Sequence, residues 1–259
     1  MARSLIFIII ITLLIITGCG KPYEDNAVRG EDYSLKLGSF VEIDMVWIPE
    51  GTFLMGSPES DFYRGEDEGP QVSVDVGEFW IGKYEITERQ YEIVMGSKPS
   101  DNGDDYPVDY VTWPDAMEFC ARLSELAGVE YTLPTEEQWE YACRAGSRSD
   151  YCFGNDQKEL RNYAWFYVSG GENRPNPVGE LRPNAWGLHD MHGNVGEWTR
   201  SLYTGHLGIE GVAGERPRYV TRGGSFMDSS DCIRSASRGS MYVDWPAFEG
   251  QGFRVVRNK

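Results

Sequence analysis

Two short stretches and three histidines hold the side chains in this chain that could do chemistry. In the first stretch, Asp190-Met-His-Gly193-Asn-Val195-Gly-Glu197, two carboxylates bracket a glycine-bearing turn. A hard cation needs six or more oxygens, drawn from carboxylates and turn carbonyls. Asp190 and Glu197 offer the carboxylates, and the glycines let the Gly193 and Val195 carbonyls turn inward, so calcium is one reading. A tight turn with a capping or salt-bridged Glu197 is the other. The second stretch runs from Arg222-Gly-Gly-Ser-Phe226 through Asp228 to Cys232. Ser225 lacks the Gly-x-Ser-x-Gly frame of a hydrolase nucleophile, and no His/Asp order supports a triad. Cys232 has no evident base. His189 and His192 sit three apart, with His206 beyond them, but no third nitrogen completes a transition-metal site. Dinucleotide and P-loop fingerprints are missing.

The elements that must position these residues read as a mixture of helices and strands. Thr87 caps a short helix over Glu88 to Met95. Thr112 and Asp115 have capping-box spacing ahead of a helix over Trp113 to Ala127, which Gly128 stops. Trp113, Ala116, Met117, Cys120 and Leu123 fall on one face of it and form a core stripe. Thr135 and Gln138 repeat the capping device before Trp139, Ala142 and Cys143. Val46 to Gly56 reads as a hairpin turning at Glu50-Gly51, and Val72 to Val76 alternates as a strand that continues through Phe79 to Glu85. Asp61 to Gln71 is charged and broken by Gly and Pro, hence a loop. After Ala145 the chain is rich in Gly, Asn and Pro with little periodicity. The fold class is α+β, in a single domain.

Four phrases carry a resemblance: Leu133-Pro-Thr-Glu-Glu-Gln-Trp-Glu-Tyr-Ala142, Gly187-Leu-His-Asp-Met-His-Gly-Asn-Val-Gly-Glu-Trp198, Arg222-Gly-Gly-Ser-Phe226 and Gly252-Phe-Arg-Val-Val256. Together they resemble the formylglycine-generating enzymes, the sulfatase-modifying factor family. The resemblance implies a C-type-lectin-like fold variant rich in ordered loops. It implies a calcium site on Asp190, Gly193, Val195 and Glu197, with Asp190 replacing the family's usual Asn. It also implies a groove where the enzymes place two cysteines, four residues apart, that bind copper. Here Asp228 holds the first position and Cys232 lies outside the register of the second. One thiolate and a carboxylate make a poor Cu(I) site, so copper is not expected. Gly196 and Gly250 stand where the enzymes have a cleft Trp and a substrate-binding Asn.

The same groove, with Ser225, Asp228, Cys232 and Arg238 below and Tyr242, Trp245 and Phe248 as walls, suits recognition of a protein or small-molecule ligand. The leading reading is therefore a catalytically divergent binding module. The alternatives are a sulfatase-maturing oxidase, a lectin-fold binding protein diversified by a retroelement across 228–244, and a subunit that stabilises another exported enzyme.

Residues 1–18 carry Arg3, an apolar run from Leu5 to Ile16, and Thr17-Gly18. The run is shorter than the ~20 residues of a spanning helix, so it reads as a secretory signal. Ile16-Thr-Gly-Cys19 resembles a bacterial lipobox, which implies a lipid such as palmitate on Cys19 after cleavage. Residues 19–40 then read as a polar tether and 41–259 as the domain, held at a bacterial membrane outside the cytoplasm. The net charge of −17, from 41 acidic and 24 basic residues, repels phosphate backbones and rules against nucleic acid. Cys120, Cys143, Cys152 and Cys232 permit two disulfides in three pairings, or four free thiols.

Overall fold

A computed structural model of the chain describes residues 27–167, 174–207 and 216–259; the leader and Cys19 lie outside these. Strands β1 (Tyr33–Lys36), β2 (Glu42–Ile48), β5 (Phe79–Gly82) and β10 (Val256–Asn258) form an antiparallel sheet in the order β1-β2-β5-β10. Between β2 and β5 the chain makes a separate two-stranded ribbon, β3 (Gly51–Met55) with β4 (Val72–Val76). A second sheet has the order β8-β7-β6-β9, built from β6 (Gly196–Leu202), β7 (Arg218–Arg222), β8 (Gly239–Tyr242) and β9 (Gln251–Gly252). Its β6–β9 pair is parallel.

The helices form where their caps lie. Helices α1 (Glu88–Met95), α2 (Trp113–Ala127) and α3 (Glu136–Arg144) each start on a complete capping box, from Thr87 and Gln90, Thr112 and Asp115, and Thr135 and Gln138. Each such cap stabilises its helix by about 1 kcal/mol. Alternation along the first sheet then divides the core. Ile43, Met45 and Trp80 pack with α1 and α2, where Phe119 stacks on Tyr91 at 5.5 Å and meets Phe253 edge-on. Val46, Ile48, Phe79 and Ile81 point the other way, against Trp139 and Ala142 of α3. Of the α2 stripe, Ala116, Cys120 and Leu123 are buried, while Trp113 and Met117 are partly covered.

Two expectations change, and one open choice is decided. The turn at Glu50-Gly51 exists, but β2 and β3 do not pair with each other. Both edges of β2 are taken by β1 and β5, so the turn moves the chain from one sheet to another. The stretch read as a tether contributes β1, whose Leu35, with Leu37 just beyond, packs into the core. Its two apolar residues are too few to stand out among the charges around them. The four cysteines of the domain are all free thiols, with Cys120 and Cys143 buried in different parts of the core.

The irregular half is ordered by side chains acting on backbone. Asn184 donates to the carbonyls of Ala142 and Cys143 at the end of α3 and accepts from the amides of Trp186 and Leu188. One amide group thus satisfies a helix terminus and a loop together. Asn162 donates to Glu159 and anchors its own turn. No helix among the described residues is long and apolar enough to cross a membrane.

Candidate functional site

The loop after β3 and the turns after β7 enclose a cavity of about 410 Å³. Of the expected groove residues, Ser225, Asp228, Cys232 and Arg238 line it. Tyr242 and Trp245 do not. They stack on each other at 6.5 Å beyond its edge, where Arg216 lies 4.5 Å from the centre of the Tyr242 ring. Phe248, the third expected wall residue, does line the cavity, joined by Met241 and by Tyr63 from the loop after β3.

Asp228 belongs first to its own turn. Its Oδ2 accepts from the Ser225 amide at 2.8 Å and the Ser225 hydroxyl at 2.9 Å. The hydroxyl is thereby engaged in shaping the turn, with no His within its reach to activate it. Cys232 is exposed on the 3-10 turn Ser230–Ile233. Burial and the nearby Asp231 and Asp228 carboxylates push its thiol above the ordinary range, against a hydrogen bond from Ser229. A thiol so protonated is a weak nucleophile and metal ligand. One such thiol beside a carboxylate is a poor donor set for Cu(I).

Under the cavity lies a layer of ion pairs that sequence reading did not find. Arg234 donates to both oxygens of Glu68, to Asp61, to the Tyr63 carbonyl and to the Asp231 carbonyl. Arg238 forms a two-point pair with Glu136 at 2.6 and 2.9 Å and reaches the Asp67 carbonyl. Arg222 pairs with Glu140, which also holds Arg144 at 2.8 Å. Burial pushes Glu68 up, yet the Arg234 and Ser57 hydrogen bonds and the Arg234 charge outweigh it and hold its carboxyl below the usual range. Gly56, at φ +88°, lets the loop close: a Cβ there would collide with the Glu68 carbonyl. The available signal was a surplus of acids over 59–68 and three arginines at 222, 234 and 238. Nothing local says which acid meets which arginine.

The residues expected to hold calcium come together in a second, fully buried place. Glu197 faces Arg254, with Nε–Oε2 and Nη2–Oε1 both 2.7 Å, and also accepts from the Trp139 indole. The other Arg254 donors go to the carbonyls of Gly82 and His189. Asp190 takes the Gly179 amide on Oδ2, and its buried Oδ1 has no hydrogen-bond partner. Glu85, which sequence reading missed, accepts from the Asn194 side chain and the Val195 amide. Burial pushes Glu85 well above its usual range, helped by Asp190 and Glu197, and burial lifts Asp190 to about 6. Three carboxylates thus share one guanidinium. A cation taking the place of the protons that burial favours on Glu85 and Asp190 would use the unpartnered Asp190 Oδ1. Both Glu197 oxygens are already engaged, so its place is on Arg254. Among the described residues no three His, Cys, Asp or Glu side chains could hold a metal alone. A cation would rest on Asp190 and turn carbonyls.

His192 and His189 are held by backbone contacts. The Cys152 amide donates to His192 Nε2 at 3.1 Å, so the proton sits on Nδ1, which donates to the Ile233 carbonyl at 2.8 Å. His189 bonds the Leu181 carbonyl, and the exposed His206 lies apart from both.

The profile of the sulfatase-modifying factor enzyme 1-like domain matches residues 39–259. The chaperone protein LppX of Paenibacillus barcinonensis is 29% identical over 240 residues, spanning 72% of this chain and 82% of its own. The inactive C-alpha-formylglycine-generating enzyme 2 of Bos taurus is 27% identical, over 76% of this chain and 81% of its own. The formylglycine-generating enzyme of Mus musculus is 28% identical, over 84% and 79%. Among solved structures, PvdO from Pseudomonas aeruginosa superposes with a TM-score of 0.79 at 28% identity, over 90% of this chain and 100% of that one.

Proposed function

Because the chain belongs to the sulfatase-modifying factor enzyme 1-like domain family, we propose that it keeps the family scaffold as a binding module and has left the family's cysteine oxidation. The observation that carries this reading is the groove floor. Asp228 shapes a turn, and the one thiol at the cavity is held protonated beside two carboxylates. The ion-paired layer beneath still fixes the cavity in one shape, which suits recognition. The similarity to a protein named as a chaperone and to one named as inactive points the same way. On this reading the groove receives a segment of an exported partner protein and supports its folding or assembly.

The test is mass spectrometry of a cysteine-bearing sulfatase-type peptide incubated with the protein, copper and oxygen, beside an active family enzyme. The peptide is expected to stay a thiol. Conversion to the aldehyde would reinstate the oxidase.

The leader and Cys19 make the protein a lipid-anchored component of the cell envelope in this proposal. Labelling with a palmitate analogue, lost in Cys19→Ala, is the expected result. The buried cluster around Asp190 is proposed to take calcium through Asp190 Oδ1 and the Gly193 and Val195 carbonyls. There it serves the fold and no reaction step.

A further inference from the structure

The charges at the cavity decide what kind of segment it can take. All three arginines in its wall are spent: Arg234 on Glu68 and Asp61, Arg238 on Glu136, and Arg222 on Glu140. An anionic ligand would find no guanidinium to pair with unless it broke a buried ion pair. The cavity carboxylates are differently placed. Asp228 and Asp231 are only half-buried, line the cavity, and have no ion-pair partner among the described residues. Asp67, on the opposite wall, has Arg238 no nearer than 3.9 Å. The Ser229 hydroxyl, 2.6 Å from Asp231 Oδ1, helps keep that carboxyl ionised. The cavity therefore carries an uncompensated negative charge on a rigid frame.

A second observation lies at its mouth. Phe62 is 90% exposed and stands edge-on to Tyr63, with ring centres 5.1 Å apart. Among the described residues nothing covers Phe62, and Tyr63 is about half open, yet the backbone that carries them is fixed. Arg234 bonds the Tyr63 carbonyl and the Asp61 side chain on either side of Phe62. The Tyr63 amide returns to Asp61 Oδ1. Rigid aromatic anchors beside a shaped cavity are the usual energetic centre of a protein-recognition surface. They lose little entropy when a partner docks.

We infer that the groove recognises an extended segment of a partner protein by a lysine or arginine side chain entering between Asp228 and Asp231, with a neighbouring apolar side chain laid on Phe62 and Tyr63. This rests on the binding reading above and narrows it to one ligand chemistry. A small cation would leave the aromatic pair uncovered, and an acidic segment would meet like charge.

The experiment pans a random 12-residue peptide library on phage against the full-length protein in detergent micelles, then measures selected peptides against variants. Asp228→Asn with Asp231→Asn keeps the turn-forming acceptor at 228 while removing both charges. Phe62→Ala removes the anchor, and Cys232→Trp fills the cavity. Glu125→Gln, on the exposed side of α2, controls for net charge. Thermal melting confirms that each variant is folded. The expected result is enrichment of peptides with Lys or Arg next to an apolar residue. Their binding should fall at least about tenfold in the double Asn variant and in Phe62→Ala, and stay unchanged in Glu125→Gln. Peptides that need the open cavity but are neutral or acidic would overturn the cation inference and leave groove binding standing. No enrichment, or binding indifferent to Cys232→Trp, would overturn both.

Discussion

Arg234 closes on both carboxylate oxygens of Glu68, at 2.9 and 2.6 Å, and so ties the loop after β3 to the turn that floors the cavity. The two residues lie 166 positions apart, so the contact closes a long loop of chain in the native state only. Breaking such a pair from one side leaves a buried charge unmatched, at a cost of about 3–5 kcal/mol. Arg234→Met is expected to lower stability by that order in urea melts. It should also open residues 59–67 to proteolysis before the rest of the domain unfolds. Equal protection of that loop in wild type and variant would contradict the clamp.

The same pair gives an acid dependence. Burial raises the folded pKa of Glu68, but the Arg234 and Ser57 contacts outweigh it and hold that carboxyl below the ordinary glutamate range. Its contribution is fully present above the unfolded value, and it fades as pH falls through the depressed folded one. Wild-type stability should therefore drop on acidification below about pH 4.5. Glu68→Gln should be less stable at neutral pH and show a shallower drop. The check is a set of urea melts at intervals from pH 6 to 3, and parallel curves for the two proteins would exclude Glu68 as the source.

His192 predicts a different kind of loss. Its ring accepts from the Cys152 amide and donates to the Ile233 carbonyl inside the core, joining the loop after α3 to the floor of the groove. A phenylalanine of similar shape fills the space but leaves both backbone groups unpaired, each costing about 1–3 kcal/mol. His192→Phe should destabilise by the sum, roughly 2–6 kcal/mol. Nitrogen chemical shifts of the wild-type ring should report the Nδ1–H tautomer, and the opposite tautomer would overturn this bonding.

Much of this architecture was legible before any coordinates. The three helices were, because Thr87, Thr112 and Thr135 announce their own capping partners three residues on. Ser225, Asp228 and Arg238 were read as groove residues from their match to the family's groove and Cys232 as the one thiol nearby, and all four line the cavity. Strand pairing was less legible. Whether the strand after Glu50 returns to β2 or leaves for β4 depends on which edges are already occupied. Tyr242 and Trp245 looked like walls because aromatic type says nothing of the side a strand presents. The acids Asp61, Glu68, Glu136 and Glu140 were invisible as a group, since ion pairing across long stretches of chain has no local period.

The buried cluster around Arg254 supports the last prediction. Glu85, Asp190 and Glu197 share this one guanidinium, so the two partners of the 2.7 Å pair are not equivalent. Removing Glu197 leaves Arg254 with two carboxylates and the carbonyls of Gly82 and His189. Removing Arg254 leaves three carboxylates and no cation of the protein's own. Arg254→Met should therefore cost about 3–5 kcal/mol, and Glu197→Gln distinctly less. Under the calcium proposal the ion would supply the missing charge, so added calcium should raise the melting temperature of wild type and raise that of Arg254→Met further. A chelator should reverse both effects. Asp190→Asn removes the charge nearest the proposed cation and should blunt the calcium response in either background. Differential scanning calorimetry with calcium or chelator decides it. Melting temperatures indifferent to both additions would leave Arg254 as the sole counter-charge of the cluster.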